Sequence, residues 1–366
     1  MFTPTRHRIA YLDGLRAIAV LLVVIHHAIA DSKTRGTLAR VLSHGNHGVE
    51  LFFILSGFCL SYPTLSRLRR DTATSFDVVR YAAHRVVRIV PPYWLAIVAT
   101  VGFGFIVTRL GFTLPQSFSN ASPLDVIQQA LFVDPGVRLV SAPFWTLPLE
   151  FRWYLLFPIT LWLWTKSPRA FAAFGIAMFA ATLTRVVNFD LLYLPPFLLG
   201  IVAADVHVRK LRFGLWSIAA CVVILAYAVL TPITWRSYYD HSPIWYLGAF
   251  AFVIAAGEWE WLNRLLSLRL LTVVGLASYS IYLVHDPVVT FACEHGAHVF
   301  MAALLGVGAG FAFWSLAERP FVYTSLRQKA TTEFDTVFST WLPQLGIGRR
   351  MALRSENTPI QRAVAS

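Results

Sequence analysis

The sequence predicts an all-α protein, a polytopic bundle of about ten membrane-spanning helices with both termini in the cytoplasm. Three observations carry this. Hydrophobic residues make up 57% of the chain and charged residues only 14%, against about 25% charged in a soluble domain. A chain of 366 residues cannot hide that much apolar surface in one water-facing core, whereas a bilayer can act as its solvent. Finally, mainly apolar runs near the roughly 20 residues that a spanning helix needs recur along the chain, with space for short loops only.

The runs fall at 9–30, 48–63, 89–111, 146–164, 170–187, 191–207, 213–231, 244–257, 270–291 and 299–316. An even number of spans puts both termini on one side. Of the 31 Lys and Arg, 22 fall on that side and seven on the other, with Arg16 and Arg152 inside spans. Positive charge collects on the cytoplasmic side of membrane proteins, so topology accounts for the formal net charge of +12 without nucleic acid. The first run begins basic, and Ala28-Ile29-Ala30 resembles a leader cleavage site. Asp13, Arg16, His26 and His27 inside the run, and further spans after it, argue that it is retained. Residues 1–322 are expected to form the membrane domain. Residues 323–366 are expected to form a basic cytoplasmic tail, partly disordered or, around Phe334–Leu345, lying on the membrane surface. Cys59, Cys221 and Cys293 lie in apolar runs without metal-ligand spacing. They read as packing residues, and no metal is expected.

A charge at the bilayer centre costs about 2.5–3.5 kcal/mol on insertion scales, so such residues usually face the bundle interior and mark a functional path. The first span holds Asp13, Arg16, His26 and His27, the second Glu50, the fourth Glu150 and Arg152, and the ninth His285 and Asp286. His84, Arg85 and Arg88 precede the third. Arg16 and His27 are eleven residues apart. At about 100° per residue they share a helix face, roughly 16 Å apart along the axis, while His26 is turned away by about 80°. Arg85 and Arg88 share a face at i,i+3, and guanidinium forks suit phosphate. A neutral histidine can take a proton from a hydroxyl. From this chemistry alone, acyl transfer to an alcohol and proton-coupled transport of a lipid-linked saccharide fit equally. Phosphate loops, nucleophile elbows and dinucleotide glycine patterns do not occur.

Six segments decide between them. Tyr11-Leu12-Asp13-Gly14-Leu15-Arg16 running on to His26-His27 resembles the first-helix signature of the family-3 membrane acyltransferases, the bacterial O-acetyltransferase type. Gly48-Val49-Glu50-Leu51-Phe52-Phe53-Ile54-Leu55-Ser56-Gly57-Phe58 is similar to the second-helix motif, with Glu50 where Asp is frequent. Arg85-Val86-Val87-Arg88 matches the family's Arg-x-x-Arg. Trp145-Thr146-Leu147-Pro148-Leu149-Glu150, continuing to Tyr154 and Pro158, resembles its Trp-Ser-Leu…Glu…Tyr segment. Thr146 and Pro148 stand where Ser is common, so no serine nucleophile is assigned there. Tyr279-Ser280-Ile281-Tyr282-Leu283-Val284-His285 and Glu318-Arg319-Pro320 resemble the closing motifs. The resemblance covers about residues 9–322.

The resemblance implies an enzyme of the bacterial plasma membrane that moves an acyl group, usually acetyl, from acyl-CoA as co-substrate to a saccharide hydroxyl, with no permanently bound cofactor. An additional esterase-like domain, present in some members, is not expected in this chain. The implied site has His27, Arg16 and Glu150 as catalytic residues. Arg85 and Arg88 bind the donor, and Asp13, Glu50, Trp145 and His285 support it.

Overall fold

The computed structural model describes residues 9–32, 34–71, 73–112, 121–133, 139–183, 189–230, 235–323, 325–341 and 349–354. Each expected apolar run is helical there. The first forms α1 (Ala10–Ser32), an apolar helix carrying Asp13 in its first turn. A short α2 (Thr37–Ser43) and a tight turn at His44–His47 lead into α3 (Gly48–Arg70), which continues through Pro63 well beyond the expected 48–63. The third helix, α4 (Val78–Arg109), starts eleven residues before the apolar run expected at 89–111. Its N-cap Asp77 accepts a 3.0 Å bond from the Arg80 amide, the usual way to satisfy a helix's first free N–H groups. Arg85 and Arg88 are therefore two turns inside a helix rather than in a loop before it.

After α5 (Pro123–Ala130) come α6 (Thr146–Lys166), α7 (Pro168–Leu183), α8 (Phe189–Arg209), α9 (Leu215–Leu230), α10 (Trp235–Glu258) and α11 (Glu260–Leu266). The expected ninth run, 270–291, is not continuous. It breaks at Ala277 into α12 (Arg269–Leu276) and α13 (Ser278–Glu294). The tenth is α14 (Val299–Phe313), extended by one wide helical turn, Trp314–Glu318, and α15 (Arg319–Tyr323). Among the described residues, five stretches are long and apolar enough to cross a membrane: Ala10–Ser32, Thr37–Arg70, Val78–Arg109, Leu191–Arg209 and Val299–Phe321. Shorter apolar helices lie at Pro168–Leu183, Leu215–Tyr227 and Pro243–Glu258.

Beside the helices, one short two-stranded ladder occurs among the described residues. Strands β1 (Ala73–Asp77) and β2 (Arg350–Arg354) pair antiparallel, in register from Ala73 opposite Arg354 to Asp77 opposite Arg350. The basic tail is thus anchored where it is described. Its helix α16 (Ser325–Trp341) packs along α4. Arg349 grips Asp77 at 3.1 Å, and Leu353 is buried. Polarity alone suggested a solvated tail, because a two-strand ladder between segments some 275 residues apart leaves no local signal. Residues 342–348 and 355–366, including the end of the Phe334–Leu345 stretch, lie outside the described residues.

Burial is distributed as a lipid solvent requires. Asp13, Glu50, His285, Asp286 and Glu318 are buried, while Leu155, Ile159, Val223, Leu225, Leu304 and Leu305 face outward. In lipid, helices associate through close packing at small residues rather than through apolar burial. The α3–α8 crossing shows this. A Cβ at Gly57 would collide with the Phe197 carbonyl, and one at Gly200 with the Ile54 carbonyl. Helix α1 is approached as closely by α11 and α12: Gly14 meets the carbonyl of Leu266 at the end of α11, and Gly275 of α12 meets the Asp13 carbonyl. We expect Gly57→Leu or Gly200→Leu to destabilise the bundle by about 1–3 kcal/mol, the usual cost of overpacking. Leu at Gly102, where a Cβ meets nothing within 4 Å, serves as the control. Thermal aggregation of the purified protein in detergent reads the difference.

Candidate active site

Five helices frame a cavity of about 100 Å³. Arg16 reaches it from α1. Val49, Phe52, Phe53, Ser56, Cys59 and Leu60 come from α3, and Arg85, Arg88 and Ile89 from α4. Helix α6 supplies Thr146, Leu147, Glu150 and Tyr154, and α13 supplies Ser278, Tyr279 and Tyr282. The break at Ala277 matters here, because it starts a new helix whose first turns present Ser278, Tyr279 and Tyr282 to the cavity.

Three guanidinium groups and one carboxylate line this space. Arg16 donates to Asp13 on its own helix at 3.4 Å, so it is held in the bundle rather than extended to the membrane surface. The Arg85 guanidinium lies 5.9 Å from the centre of the Tyr154 ring, and its Nε is buried without a hydrogen-bond partner. Among the described residues, Arg85 and Arg88 make no ion pair. The Glu150 carboxylate is not paired with arginine either. It accepts hydrogen bonds from the Tyr154 hydroxyl and, at 3.0 Å, from the Ser56 hydroxyl. Buried cations left without anions are costly, and their forked donors match phosphate oxygens. The three arginines give the cavity a positive character.

His27 does not line this cavity. Its Nδ1 lies 2.8 Å from Nε2 of His285, with the two rings 5.0 Å apart and nearly parallel. His285 is fully buried on α13, one turn beyond Tyr282, and the two ring centres are 6.1 Å apart. The Tyr282 hydroxyl bonds Thr146 at 2.8 Å and the Pro143 carbonyl at 3.1 Å, and Phe52 meets its ring edge-on. His27 therefore stands behind the wall of the cavity formed by Tyr282. His26 points elsewhere, as the helical angle predicts, and its Nδ1 donates to the Ser43 carbonyl at 2.6 Å.

The supporting residues divide. Asp13 holds Arg16, and His285 holds His27. Glu50 is fully buried and pairs with His47 at 3.0 Å, away from His27 and outside the cavity lining. Trp145 packs on Tyr193, with ring centres 5.1 Å apart, and does not line the cavity. Asp286 accepts from the Ser141 hydroxyl at 3.1 Å and the Ala142 amide at 3.0 Å. It thereby fixes the segment that feeds α6. Glu318 of the closing motif accepts from Ser280 at 2.6 Å and clasps the end of α14 to α13.

Sequence reasoning assigned no role to Ser56, Tyr154, Tyr279 or Tyr282, all of which line the cavity. One signal was present for Tyr154, which lies at i+4 from Glu150 and so on the same helix face. The partners of Ser56 and Tyr282 come from other helices, and no spacing in the sequence indicates them.

Comparison with known proteins is consistent with this geometry. A family described as an acyltransferase domain matches residues 9–319. Peptidoglycan O-acetyltransferase OatA of Listeria monocytogenes is 24% identical over 370 residues, covering 88% of this chain and 56% of that protein. The putative peptidoglycan O-acetyltransferase YrhL of Bacillus subtilis is 24% identical over 350 residues, covering 84% and 53%. O-acetyltransferase OatA of Staphylococcus aureus is 25% identical over 316 residues, covering 76% and 50%. The chain thus spans about half the length of the curated relatives it matches. No solved structure matches it.

Proposed function

The chain belongs to the acyltransferase family whose domain it matches over residues 9–319, and from that premise we propose an integral-membrane O-acetyltransferase acting on a saccharide of the bacterial envelope. In this reading acetyl-CoA is the donor. Peptidoglycan is the first acceptor to test, because the listerial relative carries that name. The ten-span topology with cytoplasmic termini belongs to the same reading, since it brings the arginine cavity to the side where CoA is found.

One observation carries the proposal, the joining of an under-compensated cavity containing Arg16, Arg85 and Arg88 to a histidine just behind it. Arg85 and Arg88 hold the phosphates of the donor, and its thioester lies towards Tyr282. His27 removes the proton of the acceptor hydroxyl as that oxygen attacks the thioester carbonyl. Arg16, held at the Asp13 end of α1 and so remote from His27, adds a third cation at the donor end of the cavity. The C–S bond then breaks, and the proton held by His27 passes to the departing CoA thiolate. The products are an acetyl ester and free CoA. Glu150, held by Tyr154 and Ser56, faces the three arginines and limits their mutual repulsion.

The test is chemical. Envelope glycan from cells that express the chain is expected to release ester-linked acetate under mild alkali, and glycan from cells lacking it is not. Equal release from both refutes the function. Movement of a saccharide across the membrane without covalent acetate would instead identify a transporter.

A further inference from the structure

His285 carries two hydrogen-bond contacts that its packing role does not explain. Its Nδ1 lies 2.9 Å from the Ile281 carbonyl and 2.9 Å from the Tyr282 carbonyl. Carbonyl oxygens only accept, so Nδ1 bears the proton. A neutral imidazole has one N–H and one bare nitrogen, which leaves Nε2 of His285 as an acceptor. Its partner 2.8 Å away is Nδ1 of His27, so that nitrogen is the donor. By the same count, Nε2 of His27 is bare. Two backbone carbonyls on α13 thereby set the tautomer of a ring on α1.

We infer that His285 is the positioning residue of the reaction, fixing His27 in the tautomer whose Nε2 is free to accept a proton. The inference rests on the reading of His27 as the base. His285 cannot take that role itself in this state, since its one bare nitrogen is occupied by His27. When His27 gains a proton at Nε2, its Nδ1–H still points at the Nε2 lone pair of His285, so the imidazolium forms without any ring turning over. The second ring is held from behind as well. Gly306 of α14 faces the His285 backbone, and a Cβ there would lie 2.7 Å from Val289 and 3.3 Å from the Cβ of His285. Its bare backbone lets α13 sit close enough for His285 to reach across to α1.

Two measurements on the full chain test the inference. The first needs no turnover. Solid-state nitrogen NMR of histidine-labelled protein in lipid, with His27 assigned by its loss in His27→Gln, is expected to show His27 protonated on Nδ1 and bare on Nε2. In His285→Leu the His27 signal is expected to move to the commoner Nε2–H form. Finding the Nε2–H form in the unsubstituted protein overturns the inference whatever the chain catalyses. The second is kinetic, with radiolabelled acetyl-CoA and solubilised peptidoglycan fragments as probes. His285→Leu is expected to lower kcat by about 10²-fold or more, since general-base catalysis contributes about 10²–10⁴, with KM for acetyl-CoA within about twofold. His285→Gln places a carbonyl oxygen near the former Nε2 and is expected to restore kcat to within about tenfold. Equal loss in both variants, with unchanged melting temperatures, makes His285 a direct participant and removes the positioning role. An unsubstituted protein that transfers no acetyl refutes the proposed function and leaves the NMR result to decide the tautomer.

Discussion

Replacing His27 by alanine is expected to lower kcat for acetyl transfer by about 10²–10⁴-fold, the usual contribution of a general base, with KM for acetyl-CoA nearly unchanged. The ring is half-buried and bonded to one buried partner, His285. Its loss leaves that acceptor bare, which costs about 1–3 kcal/mol of stability. A His27→Asn variant, whose amide N–H stands where Nδ1 was and can still reach His285, separates the two effects. It is expected to melt like the unsubstituted protein and to be as inactive as the alanine variant. His26 is the internal control. Its Nδ1 is spent on the Ser43 carbonyl, so His26→Ala is expected to retain transfer within a few-fold. Steady-state assay of both variants in membranes decides the matter. Loss of activity in His26→Ala with retention in His27→Ala would contradict the assignment of the base.

The second large effect is expected at the donor end. In an Arg85→Ala/Arg88→Ala variant, KM for acetyl-CoA should rise by at least about 10- to 100-fold. A hydrogen bond to a charged group contributes about 1.5–3 kcal/mol, and each 1.4 kcal/mol is a factor of ten. Lysine at both positions keeps the charge but loses the fork, so a smaller rise is expected. Stability should change little. The two cations lack ion-pair partners among the described residues, and Arg85 also leaves Nε unsatisfied. Removing two partly buried like charges that Glu150 only partly balances costs the empty protein little, so the double variant is expected to melt near the temperature of the parent. Added acetyl-CoA should raise the melting temperature of the parent and leave that of the variant unchanged. Normal apparent affinity in the variant would remove the donor role of this pair.

The two predictions differ in how much of each the sequence already contained. Arg16 and His27 share one helix, so an eleven-residue interval and the α-helical angle placed them on one face, and the same arithmetic turned His26 away. Arg85 and Arg88 at i,i+3 were legible for the same reason. In the structure Arg16, Arg85 and Arg88 line one cavity, whereas His27 does not. Glu150 is not paired with an arginine among the described residues. The actual donors are the hydroxyls of Tyr154 and Ser56. Glu50, expected to support the site, is paired with His47, and Trp145, expected to do the same, packs on Tyr193. The Tyr154 and His47 contacts are local, at i+4 and i−3, whereas Ser56 and Tyr193 come from other helices.

The sequence by itself determined the solvent, the helices and the identity of the charged groups that had to face inward. These follow from composition, from the period of a single helix and from the cost of leaving a charge in hydrocarbon. It also carried the motifs that identify the family. Only the tertiary structure decided that α4 begins at Val78, that a run expected to be one span breaks at Ala277, and that β2 returns to β1. It alone put His27 against His285 behind Tyr282 rather than inside the arginine cavity. Those features depend on how close two backbones can approach, at Gly14 and Gly275 or at Gly57 and Gly200. They also depend on which carbonyl lies opposite which ring. Such distances join residues hundreds of positions apart, and no local periodicity encodes them.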